Sequence, residues 1–131
     1  MIALDTSALV AVMKLEPERS RYLEAISASD LCLISSVTLL EVHLVTFGLF
    51  GSAGVDRLDQ WLATFRLEVV PFDEILAAAA FAAFKIYGKG VHSKARLNIC
   101  DCASYALAKT RGLPLLFKGD DFAATDIVAA A

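Results

Sequence analysis

At 131 residues and 14.1 kDa, with 57% of its residues apolar, the chain has the makings of one compact domain with a substantial core, which excludes a disordered or two-domain arrangement. Charged residues make up 21%, 12 basic against 15 acidic, so the net charge is −3 and a globally basic nucleic-acid binder is excluded. Three cysteines, Cys32, Cys100 and Cys102, stand behind a start that lacks a basic leader region, which predicts a reducing, cytoplasmic setting. A mean hydropathy of +0.60 raises the question of a membrane span. The longest strongly apolar run, 75–84, holds 10 residues. A spanning helix needs roughly 20. The uncharged stretch 42–55 is interrupted by Gly48, Gly51, Ser52 and Gly54, so the expectation is a soluble protein, rich in buried helix, with no membrane association.

Ile2-Ala3-Leu4 is a short apolar run followed at once by Asp5-Thr6-Ser7, whose side-chain oxygens can accept from the free N–H groups that open a helix. The chain therefore begins with a strand-to-helix junction. Pro17 restarts it after that first helix, and 18–28 reads as a second, with Tyr22, Leu23 and Ile26 on one side. A buried strand is predicted at 31–34. Ser35 and Ser36 then cap a long apolar helix that runs to about Phe47 or Phe50 and is ended by glycines. The spacing of Leu58, Trp61, Leu62 and Phe65 predicts a helix over 55–65, followed by a strand at 68–70 and a turn at Pro71. Asp73 opens an Ala-rich helix that ends near Tyr87, and Gly88-Lys89-Gly90 begins a polar segment lasting to about Arg96. Asn98 starts the next helix, which closes at Gly112. Beyond it come a strand at 115–117, a turn at Lys118-Gly119, one helical turn over 120–124 and a last strand at 127–128.

Short apolar strands alternating with helices imply a mainly parallel sheet covered on both faces, because parallel neighbours need crossover connections that helices supply. The predicted class is three-layer α/β/α, with residues 1–131 forming a single domain.

In open parallel sheets ligands sit beyond the carboxyl ends of the strands, which is where Asp5 and Asp120 fall. Each serves equally well as a helix N-cap. Glu41 lies in the stripe Val37, Leu40, Glu41, Leu44, Val45, the i, i+3, i+4, i+7, i+8 pattern of a buried helix face. Its carboxylate is expected to face the interior, where an acid needs either an Arg partner or a bound cation. Asp101 follows Asn98 by three residues, the spacing of a capping box. Cys100 and Cys102 have no second Cys pair or well-spaced His to complete a zinc site. Taken together, Asp5, Glu41, Asp101 and one of Asp120 or Asp121 lie at helix starts or on an inward face of one small domain. Four converging acids without a counter-charge repel one another. Hard divalent cations relieve that repulsion, and an all-oxygen donor set selects Mg²⁺ or Mn²⁺. Such an ion can turn a bound water into a nucleophile and stabilise the oxygens of a phosphodiester, so metal-assisted phosphodiester hydrolysis is the chemistry that fits.

The charge layout suits a polyanionic substrate despite the net −3. Lys85, Lys89, Lys94, Arg96, Lys109, Arg111 and Lys118 face the single acid Asp101 over 85–118, a local charge of +6 that leaves −9 elsewhere. The basic residues Lys89, Lys94, Arg96 and Lys118 are candidates to hold phosphates, and an ordinary solvated face is the competing reading. His43 and His92 have no Ser or Cys nucleophile placed to pair with, so neither reads as a catalytic base; His92, in the basic loop, is a candidate RNA contact.

The blocks Ile2-Ala3-Leu4-Asp5-Thr6-Ser7-Ala8-Leu9, the Glu41 helix, Gly88-Lys89-Gly90 with Leu97-Asn98 and Asp101-Cys102, then 115–122 and Thr125-Asp126-Ile127, together resemble the VapC toxins of the PIN-domain ribonucleases, over essentially the whole chain. The resemblance implies a small Mg²⁺- or Mn²⁺-dependent endoribonuclease, homodimeric, inhibited by a cognate VapB antitoxin. It assigns Asp5, Glu41 and Asp101 as the first three acids, with Asp120 favoured as the fourth over its neighbour Asp121, which takes a more structural part. Thr6 or Ser7 would orient Asp5 or a bound water. Cys100 stands where the family usually has Gly. Two other readings compete: a catalytically silent module that binds RNA or protein with the carboxylates as caps, and a phosphoryl-accepting signalling domain. The latter wants an adjacent acid pair near the first strand, which this chain lacks.

Overall fold

The computed structural model describes all 131 residues, Met1–Ala131. Strands β1 (Ile2–Leu4), β2 (Cys32–Ser35), β3 (Leu67–Val70) and β4 (Leu115–Leu116) form one parallel sheet in the order β3-β2-β1-β4. Ala3 sits between Leu33 on one side and Leu115 on the other, which makes β1 central. Side chains alternate across the pleat. Ile2, Leu4, Cys32, Ile34 and Leu116 enter one apolar cluster, while Ala3, Leu33, Val70 and Leu115 enter another on the opposite face. The first is covered by α1 (Thr6–Met13), α2 (Arg19–Ser27) and α3 (Ser36–Leu62); the second is covered by α4 (Glu74–Tyr87) and α5 (Ile99–Arg111). This is the three-layer α/β/α arrangement, and it explains why the strands read as continuous apolar runs rather than as alternating ones.

Helix boundaries follow local chemistry. Asp5 caps α1 by accepting from the Ser7 amide, Ser35 caps α3 through Val37, and Asp73 caps α4 through Leu76. The Asn98 and Asp101 side chains accept from each other's backbone amides at 2.9 and 3.0 Å, closing a reciprocal box at the start of α5. The last strand expected at 127–128 shrinks to a single bridge, Leu115 with Ala129.

For α3 the sequence expectation holds in one respect and is corrected in another. The glycines end its first arm, as expected, and a second arm starts at once beyond them. Gly51 takes φ 68° and ψ −166°, a backbone region open essentially to glycine alone, and the helix resumes beyond it to Leu62. Two arms, 36–50 and 52–62, therefore follow one another, and His43 on the first reaches Asp59 on the second at 2.7 Å. The other His43 nitrogen lies 2.8 Å from the Leu39 carbonyl. Both partners are acceptors, so holding both bonds favours the imidazolium. Although burial acts to lower the His43 pKa, the Leu39 and Asp59 contacts outweigh it and raise the pKa.

The inward face of α3 is rotated from the one expected. Thr38, Val42 and Thr46 are fully buried, whereas Leu40 and Leu44 are 60% and 62% exposed. The helix is apolar almost all round, and the two inward threonines do not register as core in a hydrophobic pattern. Counted through Gly51, α3 has 27 residues and a hydropathy of 1.4, long and apolar enough to cross a membrane. Gly51 divides it, and neither arm, 36–50 or 52–62, reaches the roughly 20 residues of a spanning helix. Val42, Leu58 and Leu62 are buried within the domain.

The bend separates helix propensity from backbone strain. Gly51→Ala is expected to destabilise by about 1–3 kcal/mol in urea unfolding because Ala resists that conformation. Gly48→Ala, which meets open space, is expected to stabilise by up to about 1 kcal/mol. Equal gains at both positions would show that Gly51 is not a bend point.

Candidate active site

Asp5 ends β1 and is 2% exposed. Its Oδ2 accepts from the Ser7 amide at 3.0 Å and the Ser7 hydroxyl at 2.6 Å, and its Oδ1 accepts from the Ser104 hydroxyl at 2.6 Å. Ser7 Oγ in turn accepts from the Lys118 amide at 2.9 Å, so the loop after β4 braces the same carboxylate. Burial raises the Asp5 pKa, the Ser104 and Ser7 hydrogen bonds pull it back, and the charge of Glu41 raises it further. Thr6, beside it, is buried with its hydroxyl unpartnered.

Asp101, in the first turn of α5, is pushed up to about 6, first by burial and then by the charges of Asp5, Glu41 and Asp121; its bond to the Asn98 amide opposes the rise. The Cys100 thiol is pushed up to about 12 by burial, by its contact with Glu41, and by the charges of Glu41, Asp101 and Asp5. Glu41, half-buried on α3, thus acts on all three of its neighbours. Cys32 and Cys102 are core residues.

The two candidates for the fourth acid occupy adjoining clefts. Asp121, not Asp120, acts on Asp101 and shares with it, Asn98, Lys89 and Arg96 a cleft of about 280 Å³. Asp120 lies one step further out, in an adjoining cleft with Ser93, Lys94, Arg96 and Asp121.

Among the basic candidates, Lys89, Lys94 and Arg96 rim these clefts, and Arg96 does so in a left-handed conformation (φ 50°). Lys118 does not: its ammonium is paired with Glu16 and, at 3.1 Å, with Glu18. His92 is occupied in shaping its own loop, its Nδ1 accepting from the Lys94 and Ala95 amides at 3.1 and 2.9 Å. Ser104 and Thr38, which join the network around Asp5, escaped sequence reasoning because a hydroxyl in an apolar helix reads as packing.

No salt bridge reaches Asp5, Glu41, Asp101, Asp120 or Asp121. The side chains form no ready-made cluster of three metal ligands. That donor set still fits Mg²⁺ or Mn²⁺, because it is all oxygen, carries unneutralised buried charge, and Mg²⁺ typically takes only one or two carboxylates while keeping several waters.

The raised carboxyl pKa values carry a stability signature in metal-free protein. Between about pH 7 and 5 the folded state holds protons on Asp101 that the unfolded chain has released, so stability rises as pH falls. His43, also raised, acts in the same direction, and the lowered Glu16, Glu18 and Asp126 act only at lower pH. Asp101→Asn is therefore expected to melt higher than the unsubstituted protein at pH 7.5, by on the order of 5 °C, and to lose about half of the gain between pH 7.5 and 5. An unchanged pH profile would count against the coupled acids.

Residues 2–128 match the PIN domain family. Ribonuclease VapC30 of Mycobacterium tuberculosis is 45% identical over 130 residues, 99% of this chain and 98% of its own. VapC20 of M. tuberculosis, a sarcin-ricin loop cleaving toxin, superposes with a TM-score of 0.79 at 15% identity, over 98% of this chain and 97% of that one. A chain of a toxin–antitoxin complex from Klebsiella pneumoniae superposes with a TM-score of 0.74 at 21% identity, over 100% and 98%. At those identities the likeness to the two structures is one of fold, whereas the match to the family and to VapC30 spans sequence from end to end. The chain belongs to the PIN-domain family, among its VapC ribonucleases.

Proposed function

We propose that the protein is a divalent-metal-dependent endoribonuclease, a hydrolase that acts as the toxin of a toxin–antitoxin pair. The observation that carries this reading is the convergence of acids from distant parts of the chain: Asp5 is hydrogen-bonded to Ser104, one turn from Asp101 on α5, and Asp101 shares its cleft with Asp121. Asp5, Glu41, Asp101 and Asp121 would hold Mg²⁺ or Mn²⁺, which supplies charge neutralisation and an activated water for phosphodiester hydrolysis.

The protein's own groups do the rest. Asp5 is held in one orientation by Ser7 and Ser104, and Asp101 is held by the Asn98 amide, so neither acid needs to reorganise when a polyanion arrives. Lys89 and Arg96, on the rim shared with Asp101 and Asp121, offset the negative field and offer donors to RNA phosphates. Lys94 extends the basic rim toward Asp120.

The inferred partners are an RNA substrate, a VapB-type antitoxin and a second copy of the chain, in the cytoplasm. Supporting a protein partner, the outer face of α3 leaves Leu40, Leu44 and Phe47 exposed by 58–62%. The three free cysteines fit a reducing compartment.

Purified protein with Mn²⁺ and a structured RNA is expected to give discrete cuts that a chelator removes and that Asp101→Asn abolishes while the circular dichroism spectrum stays unchanged. RNA binding without cleavage, unaffected by that substitution, would establish a silent binding module instead. Arg96→Ala is expected to weaken RNA binding and to reduce the slope of log affinity against log salt by about 0.7–0.9. An unchanged slope would remove Arg96 from the phosphate-binding rim.

A further inference from the structure

We propose that Ser104 and Thr38 are positioning residues that set the spacing of the metal-holding acids. Ser104 Oγ donates to Asp5 Oδ1 at 2.6 Å and lies 2.9 Å from Thr38 Oγ1. With the single Ser104 proton directed at Asp5, Thr38 donates to Ser104, and the three side chains form one directional chain. All three are nearly inaccessible: Asp5 is 2% exposed, Ser104 1% and Thr38 0%. Water does not compete for these bonds, and a hydrogen bond to a carboxylate is among the stronger kinds.

The positions of the two hydroxyls give the chain its purpose. Ser104 stands three residues after Asp101 on α5, and Thr38 stands three residues before Glu41 on α3, about one helical turn in each case. Two hydroxyls thus fasten the end of β1, which carries Asp5, to the two helices that carry Glu41 and Asp101. The acids repel one another and tend to push those three elements apart. The hydroxyl chain opposes that spreading at the level of the carboxylates. Packing alone does not require it, because Ala at 104 and Val at 38 would occupy nearly the same volume without a polar atom to satisfy.

The inference rests on the metal-dependent reading above, and the experiment separates the two. Mn²⁺ uptake is measured by electron paramagnetic resonance without RNA, alongside kcat and KM on RNA, for Ser104→Ala, Thr38→Val and Thr38→Ser. Ser104→Ala is expected to weaken Mn²⁺ binding by about 10-fold or more and to lower kcat while KM for RNA stays nearly unchanged. Thr38→Val, which keeps the side-chain shape and leaves the Ser104–Asp5 bond in place, is expected to show a smaller loss in the same direction, restored by Thr38→Ser. Mn²⁺ binding and kcat at the unsubstituted level in both Ser104→Ala and Thr38→Val would overturn the positioning role alone. Unsubstituted protein that takes up no Mn²⁺ would overturn the proposed function and this inference with it.

Discussion

Everything at the acidic end of the molecule depends on the burial of one carboxylate. Asp5 is withdrawn from water at the end of the central strand and has no cation beside it. Its charge is made tolerable by donors drawn from the start of α1 and from α5, with the amide of Lys118 steadying Ser7 behind it. Isolated buried charge is among the most unfavourable arrangements a fold can hold. Here it sits next to Glu41 and Asp101, which worsens it. A structure that retains such a group is under electrostatic tension, and the hard cation of the proposed function would relieve it.

The parallel sheet makes that convergence achievable. β1 is central, and the loops that leave the carboxyl ends of β1, β2 and β4 feed α1, α3 and the turn at Asp121, while α5 runs alongside. Residues far apart in the chain meet at one rim because the strands all point the same way. The basic loop before α5 reaches the same rim, with Arg96 held in a conformation that residues other than glycine rarely adopt. Lys118, although close in sequence to Asp121, is turned toward α2 and serves as a structural cation for Glu16 and Glu18.

Much of this was legible in the residues themselves. Period-two burial could not be read in strands covered on both faces, but their length and the acid or serine that follows each were sufficient to place β1 and β2. Asp5, Asp73, Asn98 and Gly112 marked helix ends because capping is a local matter. The failures have a common cause in tertiary context. On α3 an all-round apolar surface hid which side was inward, and the true inward face was lined by threonines. The break at Gly51, by contrast, was legible, because a run of glycines interrupts a helix locally. Asp120 and Asp121, adjacent in the chain, could not be separated by sequence, and it is Asp121 that lines the same cleft as Asp101. Ser104 and Thr38 gave no signal of their own; only their spacing of three from Asp101 and Glu41 marks them in hindsight.

Asp5 and Asp101 each do two jobs, since both are helix-capping side chains as well as members of the acidic cluster. Asparagine can accept the same backbone hydrogen bonds without the negative charge. A single-nucleotide change at either position therefore leaves a route to a folded chain that lacks one of the charges proposed to hold the metal. Over evolutionary time such lineages can persist as intact scaffolds, so the presence of the fold in a genome says less about its chemistry than the identity of these two side chains.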